Sequence, residues 1–356
     1  MFDNREWLAL QVEEPLEPDL PIIDAHHHCY PVPPKPIFPA YPIDALLADK
    51  TGSGHNIVAT VYVDSQITFR PDGPEHLRIV GGTDHAEAIA LEGLRRGGRS
   101  AGVCAAIVGH APLGIGAPVR EVLEAHVASS PARFRGIRVR TAFDPDAPFN
   151  EDAHPFMLGE ARFREGFAEL GPLGLSFDAW LLHPQIAELT DLARAFPETT
   201  IILNHIASPI QIGRFAGKPG EVFDQWSSGM AELANCPNVF VKIGALNMTF
   251  TGLSFIGRER PPSSIELAER QRDYVLRTID LFGPDRAMFE SNFPVDMLGV
   301  SYPVLWNGFK RMAAGFSADE KGALFSGTAA RAYRIHQACT QGASGPTATP
   351  SGRQEA

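Results

Sequence analysis

Ile22-Ile23-Asp24-Ala25-His26-His27-His28 reads as a strand that starts apolar and ends in side chains able to do chemistry. Strand side chains alternate between faces, which places Asp24, His26 and His28 on one face and Ala25 and His27 on the other. Two imidazoles at adjacent same-face positions, at the carboxyl end of a strand, can grip one metal ion or position one water. A lone histidine is more often a packed core residue. Here the Asp-x-His-x-His spacing opens a long regular pattern, and that tips the reading towards a site.

Outward from this stretch, seven more runs of strand length follow, at residues 57–64, 102–109, 134–140, 174–180, 199–205, 239–244 and 286–292. Several are near-continuous apolar runs, as strands covered on both faces are. Helix-period stretches separate them, among them 118–129, 161–170, 184–196, 222–234 and 265–281. Eight strands alternating with helices predict an α/β fold, a (β/α)8 TIM barrel, with a large doubly wound sheet as the competing arrangement. No Gly-x-Gly-x-x-Gly follows the first strand and no Gly-Lys-Ser/Thr loop occurs, so nucleotide binding has no support.

The 356 residues suit one barrel, a fold of about 250 residues that grows by loop insertion. Its expected span is 21–336, preceded by an N-terminal arm at 1–20 and followed at 337–356 by a small-residue, Pro/Gly-rich tail that is expected to be disordered. A net charge of −11 excludes the broad basic face of a nucleic-acid binder, and it requires any anion site to be locally basic. No run approaches the ~20 apolar residues that span a bilayer, and the acidic N-terminus lacks the apolar core of a signal peptide. The four cysteines, with no Cys-x-x-Cys pair, fit reduced thiols. The expectation is a soluble, cytoplasmic protein without nucleic-acid or membrane partners, and with room for a homo-oligomer.

Three further motifs bear on chemistry. His205 closes the apolar run Ile201-Ile-Leu-Asn, which sets it at a barrel mouth as ligand, base or structural residue. His183 follows the fifth strand, either lining the mouth or capping a helix. In Glu290-Ser-Asn292-Phe-Pro-Val-Asp296, Glu290 and Asn292 share a strand face about 7 Å apart, although Asn292 could equally organise the turn before Pro294. Arg138 and Arg140 share a face of the fourth strand, and Lys242 lies inside the seventh. A cation inside a barrel needs an anionic partner, either a substrate carboxylate or an internal acid such as Asp178 or Glu290.

The first-strand Asp-x-His-x-His, His205 and Ser291-Asn292-Phe293-Pro294 resemble the amidohydrolase-2 branch of the amidohydrolase superfamily. Ile107-Val-Gly-His-Ala-Pro-Leu113, Phe134-Arg-Gly-Ile-Arg138 and Leu175-Ser-Phe-Asp-Ala-Trp180 resemble its sugar-lactone and pyrone-dicarboxylate lactonases. The likeness spans roughly residues 20 to 336. It implies hydrolysis of a lactone or related ester of a small, carboxylate-bearing organic acid, at a mouth that binds zero to two divalent ions. A related branch decarboxylates aromatic acids, and loss of activity with retention of the barrel as a binding protein is a third outcome.

Carried over, His26, His28 and His205 become ligands of one divalent ion, Zn2+ foremost, or groups that position water in a metal-independent reaction. His205 would polarise the carbonyl or complete the metal site, and Arg138 or Arg140, with His183, would hold the substrate. The family's eighth-strand aspartate is Asn292 here, and an amide cannot take a proton from water. That points to Asp296 first and Glu290 second as the base. Glu290 is expected deeper, as a structural partner of Arg138 and Lys242.

Overall fold

A computed structural model describes residues 4–34, 38–146 and 153–335; the expected tail at 337–356 lies outside them. The eight strands are β1 Pro21–His27, β2 Asn56–Val63, β3 Ala106–Gly109, β4 Phe134–Arg140, β5 Ser176–Trp180, β6 Ile201–Leu203, β7 Val239–Ile243 and β8 Ala287–Phe289. Neighbours are all parallel and follow chain order from β1 to β8. His27 bridges Phe293, Asn292 N–H donates to the His26 carbonyl at 2.9 Å, and His28 N–H donates to the Phe293 carbonyl at 2.7 Å. These contacts close the sheet into a (β/α)8 barrel.

One principal helix follows each strand: α1 Ile43–Gly52, α2 Gly81–Arg96, α3 Val119–Ser129, α4 Ala161–Ala168, α5 Ile186–Ala195, α6 Pro219–Leu233, α7 Ser264–Phe282 and α8 Tyr302–Met312. The longest, α7, starts where Ser263 Oγ accepts Glu266 N–H at 3.2 Å and Glu266 Oε2 accepts Ser263 N–H at 2.9 Å. This reciprocal cap satisfies donors that a helix start leaves open.

The two faces of the strands build two cores. Ile22, Ile107, Ile137, Phe177, Leu203, Val241 and Phe289 turn outward onto helix residues such as Leu123, Trp226 and Phe309. Ile23, Ala25, Val61, Val63, Val108, Ile202 and Met288 fill the interior, joined by Tyr333 from the end of the described chain. Phe289 lies 4.6 Å from the ring of Phe309 and 4.7 Å from that of Phe325. Truncating such a residue to alanine costs about 3–5 kcal/mol.

The arm lies along α7 and α8. Glu13 accepts Ser264 N–H at 2.7 Å, and Lys310 Nζ donates to the Leu16 and Glu17 carbonyls at 2.7 and 2.8 Å. Cys29, Cys104 and Cys236 are free and buried. Among the described residues, no helix is long and apolar enough to cross a membrane.

Candidate active site

The histidines of β1 reach the mouth by a route that strict alternation does not predict. Pairing with β2 shifts register between Asp24 and His27. Asp24 therefore does not share the site face of His26 and His28. Its carboxylate accepts Ser291 N–H at 2.8 Å, Ser291 Oγ–H at 2.6 Å and the Tyr302 hydroxyl at 2.9 Å, which pins β1 to the end of β8 and to α8. Burial raises its pKa to about 6 despite those bonds. His27 turns away from the mouth, to Thr60 Oγ1 at 2.8 Å.

His26, His28 and His205 do converge. The His26 ring centroid lies 4.9 Å from that of His28 and 4.6 Å from that of His205. Burial, reinforced by Lys242 for His26 and by Arg138 for His28, holds both β1 imidazoles well below the usual histidine pKa. Both are neutral at neutral pH, so each ring keeps a lone pair for a proton or a metal. His28 Nδ1 lies 2.7 Å from the Val63 carbonyl, an acceptor only, and must carry the ring hydrogen. Its Nε2 is then the lone-pair atom.

Glu290 is the centre of this cluster, contrary to the expectation of a structural pair with Arg138 and Lys242. Its Oε1 accepts His205 Nδ1–H at 2.6 Å and His205 N–H at 3.1 Å. Its Oε2 lies 3.0 Å from His26 Nδ1 but without hydrogen-bond alignment. Lys242 pairs instead with Asp178 at 2.7 Å, an internal acid as its burial demanded, and lies 3.2 Å from His26 Nδ1. The bond to Glu290 fixes the His205 tautomer, leaving Nε2 with the ring's lone pair.

The turn that presents His205 is strained. His205, Ile206, Ala207 and Ser208 have φ of +59°, +45°, +60° and +34°, four successive non-glycine residues in the left-handed region. Each costs roughly 1–2 kcal/mol, and such strain gathers at functional sites. Trp226 Nε1–H holds the Ile206 carbonyl at 2.7 Å, while Glu290 holds the His205 backbone.

Donor atoms of His26, His205 and Glu290 lie within 4.8 Å of one another, and His26 Nε2 is buried without a hydrogen-bond partner. Two neutral imidazoles and a carboxylate are a donor set of catalytic zinc sites, so these residues fit a divalent ion. Glu290 takes the place in this group that was expected for His28.

Asp296 does not line the mouth. It is buried behind Asn292, accepting Asn292 Nδ2–H at 2.7 Å, Asn247 Nδ2–H at 2.9 Å and Asn247 N–H at 3.1 Å. Burial nevertheless raises its pKa to about 7. Its bond to Asn292 turns the amide nitrogen inward and leaves the amide oxygen as the group that Asn292 can offer the cavity. His183 is likewise outside: its Nδ1 accepts Ile210 N–H at 3.2 Å and its ring packs on Phe215 at 4.8 Å, the structural alternative.

The mouth opens into a cavity of about 520 Å³ lined by His28, Arg138, Arg140, His205 and Asn292, with Trp180, Met248, Phe250, Ile256 and Leu298 among its apolar walls. Among the described residues its lining includes two arginines and no aspartate or glutamate. Arg138, 5% exposed, donates to the Asp64 carbonyl, and Arg140 donates to Gln66. Burial lowers the Arg138 pKa to about 10, a measure of how poorly this guanidinium is solvated. The aromatic and aliphatic walls went unrecognised in the sequence. Trp180 alone carried a signal, since it ends an apolar strand as His205 does. A second cavity of about 460 Å³, between the arm and α8, has neither histidine nor cysteine among the described residues of its lining.

A histidine–carboxylate cluster at the carboxyl ends of the strands of a parallel barrel stands where active sites of this fold lie. The chain belongs to the amidohydrolase family, whose model matches residues 23–335. It is 35% identical to an uncharacterized protein of Sinorhizobium fredii, over 83% of this chain and 86% of that one. It is 28% identical to an L-fucono-1,5-lactonase of Burkholderia multivorans, over 59% of this chain and 67% of the relative. A crystal structure of a Burkholderia multivorans amidohydrolase with bound zinc superposes with a TM-score of 0.67 at 22% identity, covering 88% of this chain and 99% of that one.

Proposed function

We propose that this enzyme hydrolyses a lactone or related ester of a small organic acid that carries a carboxylate. The observation that carries the reading is the pairing of a histidine–carboxylate dyad with a locally basic cavity in a chain of net charge −11. The lactonase among its relatives supports the bond type. Arg138 and Arg140 hold the substrate carboxylate, and Arg138 offsets charge that develops on the carbonyl oxygen. The attacking water gives one hydrogen to His205 Nε2 and the other to His28 Nε2 or the amide oxygen of Asn292, which keeps an oxygen lone pair for the carbonyl. His205 takes its proton, and Glu290 stabilises the imidazolium that results. The proton then passes to the leaving alkoxide, which opens the ring.

A divalent ion, zinc by analogy with the bound relative, would be held by His26, His205 and Glu290 in place of the His205–Glu290 hydrogen bond; it would then supply Lewis acidity and a lower water pKa, and the role of His205 as base belongs to the reaction without the ion. The test is a panel of carboxylate-bearing lactones and esters followed by acid release, with and without chelator, beside a parallel assay of CO2 release from aromatic acids. Acid release without CO2 is expected. CO2 release without ester or lactone cleavage would replace hydrolysis by decarboxylation.

A further inference from the structure

The cavity is polar on one side and apolar on the other, and the barrel order makes that division spatial. Arg138 and Arg140 come from β4, which lies across the barrel from β8. Met248, Phe250 and Ile256 follow β7, and Leu298 follows β8, so they build the opposite wall. Trp180, from the end of β5, flanks the space with its Nε1–H already spent on Ser208 Oγ at 3.2 Å. These five large side chains are only half-buried, and each lines the half-open cavity at the mouth. One occupant with a hydrocarbon body would remove their remaining apolar surface from water.

Several polar groups of the lining are meanwhile committed within the protein. His28 Nδ1 is held by Val63, the Gln66 amide oxygen by Arg140 and the Asn292 amide nitrogen by Asp296. A polyhydroxylated ring would bury several hydroxyls against that wall, and each unpaired one costs free energy.

We infer that the substrate is an amphipathic anion: a carboxylate set against Arg138 and Arg140, the reacting carbonyl beside His205, and an unsubstituted alkyl or aryl body against the β7–β8 wall, rather than a sugar lactone. This rests on the hydrolytic reading for the reacting bond but not for the binding preference. Binding of two non-hydrolysable probes, phenylacetate and L-fuconate, is therefore measured by calorimetry and by quenching of Trp180, with Trp180→Phe identifying the signal. Phenylacetate should bind at least about tenfold tighter than L-fuconate, the discrimination that one well-packed apolar group supplies. Ile256→Asn, in a half-buried loop position, should remove at least about tenfold of the phenylacetate affinity and leave L-fuconate within about twofold.

L-fuconate binding as tightly as phenylacetate would overturn the inference. So would phenylacetate binding that is unchanged in Ile256→Asn while its melting temperature stays that of the parent. If Ile256→Asn does not fold, Leu298→Asn takes its place. Tight phenylacetate binding without turnover of any lactone would instead remove the hydrolytic reading and leave this one standing.

Discussion

Glu290→Gln isolates the central contact of the site. The carboxylate is fully buried and accepts two bonds from one residue, at 2.6 Å from His205 Nδ1 and 3.1 Å from His205 N. A hydrogen bond to a charged group contributes about 1.5–3 kcal/mol, so replacing the anion by a neutral amide weakens the hold on a protonated His205 by roughly ten- to a hundredfold per bond. The amide nitrogen would also face His26 Nδ1, where Lys242 already lies 3.2 Å away, and would compete for that lone pair. Together these effects predict a fall in kcat of about 10²–10⁴-fold, the usual span of a general base. Glutamine is isosteric, so the fold survives. The assay is initial-rate acid release from the best lactone of the panel, alongside a thermal melt followed by circular dichroism. A kcat within about threefold of the parent, together with a melting temperature lowered by many degrees, would refute the dyad and make Glu290 a structural counter-ion.

Three further outcomes follow from the same geometry. Asp296→Asn should lower kcat by only about tenfold, because Asp296 orients Asn292 rather than meeting water; a loss as large as that of Glu290→Gln would restore it as the base. Zinc added to chelator-treated protein should raise the melting temperature by a few degrees, since a hundredfold excess over Kd contributes about 2.7 kcal/mol. His26→Ala should abolish that rise, and an equal rise in the variant would exclude the His26–His205–Glu290 donor set. Burial lowers the pKa of His126 to about 4, so the folded chain binds fewer protons than the unfolded one below pH 6.5. Stability that this ring contributes is therefore lost as pH falls from about 6.5 towards 4, by up to about 3 kcal/mol. His126→Gln should melt lower at pH 7.5 yet lose less between pH 7 and 4.5, and equal pH slopes in the two proteins would refute the assignment.

What the sequence disclosed and what it withheld have one physical cause. Strands buried on two faces write themselves as apolar runs, so all eight were visible, and with them the heights at which His26, His205 and Glu290 leave the sheet. Partner choice inside the barrel depends on which strands face one another and on local register, and neither is written in a single run. Glu290 was expected beside Arg138 and Lys242 because it is an acid and they are two cations read as lying inside the barrel. Lys242 instead reaches Asp178, as the internal-acid alternative allowed, which frees Glu290 for the two histidines. Asp24 looked like a companion of His26 by strict alternation, and the register shift between β1 and β2 turned it to Tyr302. The left-handed run from His205 to Ser208 contains no glycine to announce it. It exists because Trp226 and Glu290, distant in sequence, hold its backbone. Asn292 shows the same logic at the point of departure from the family. Asp296 is buried behind it and sets the direction of the amide, and the carboxylate that reaches a site histidine is Glu290.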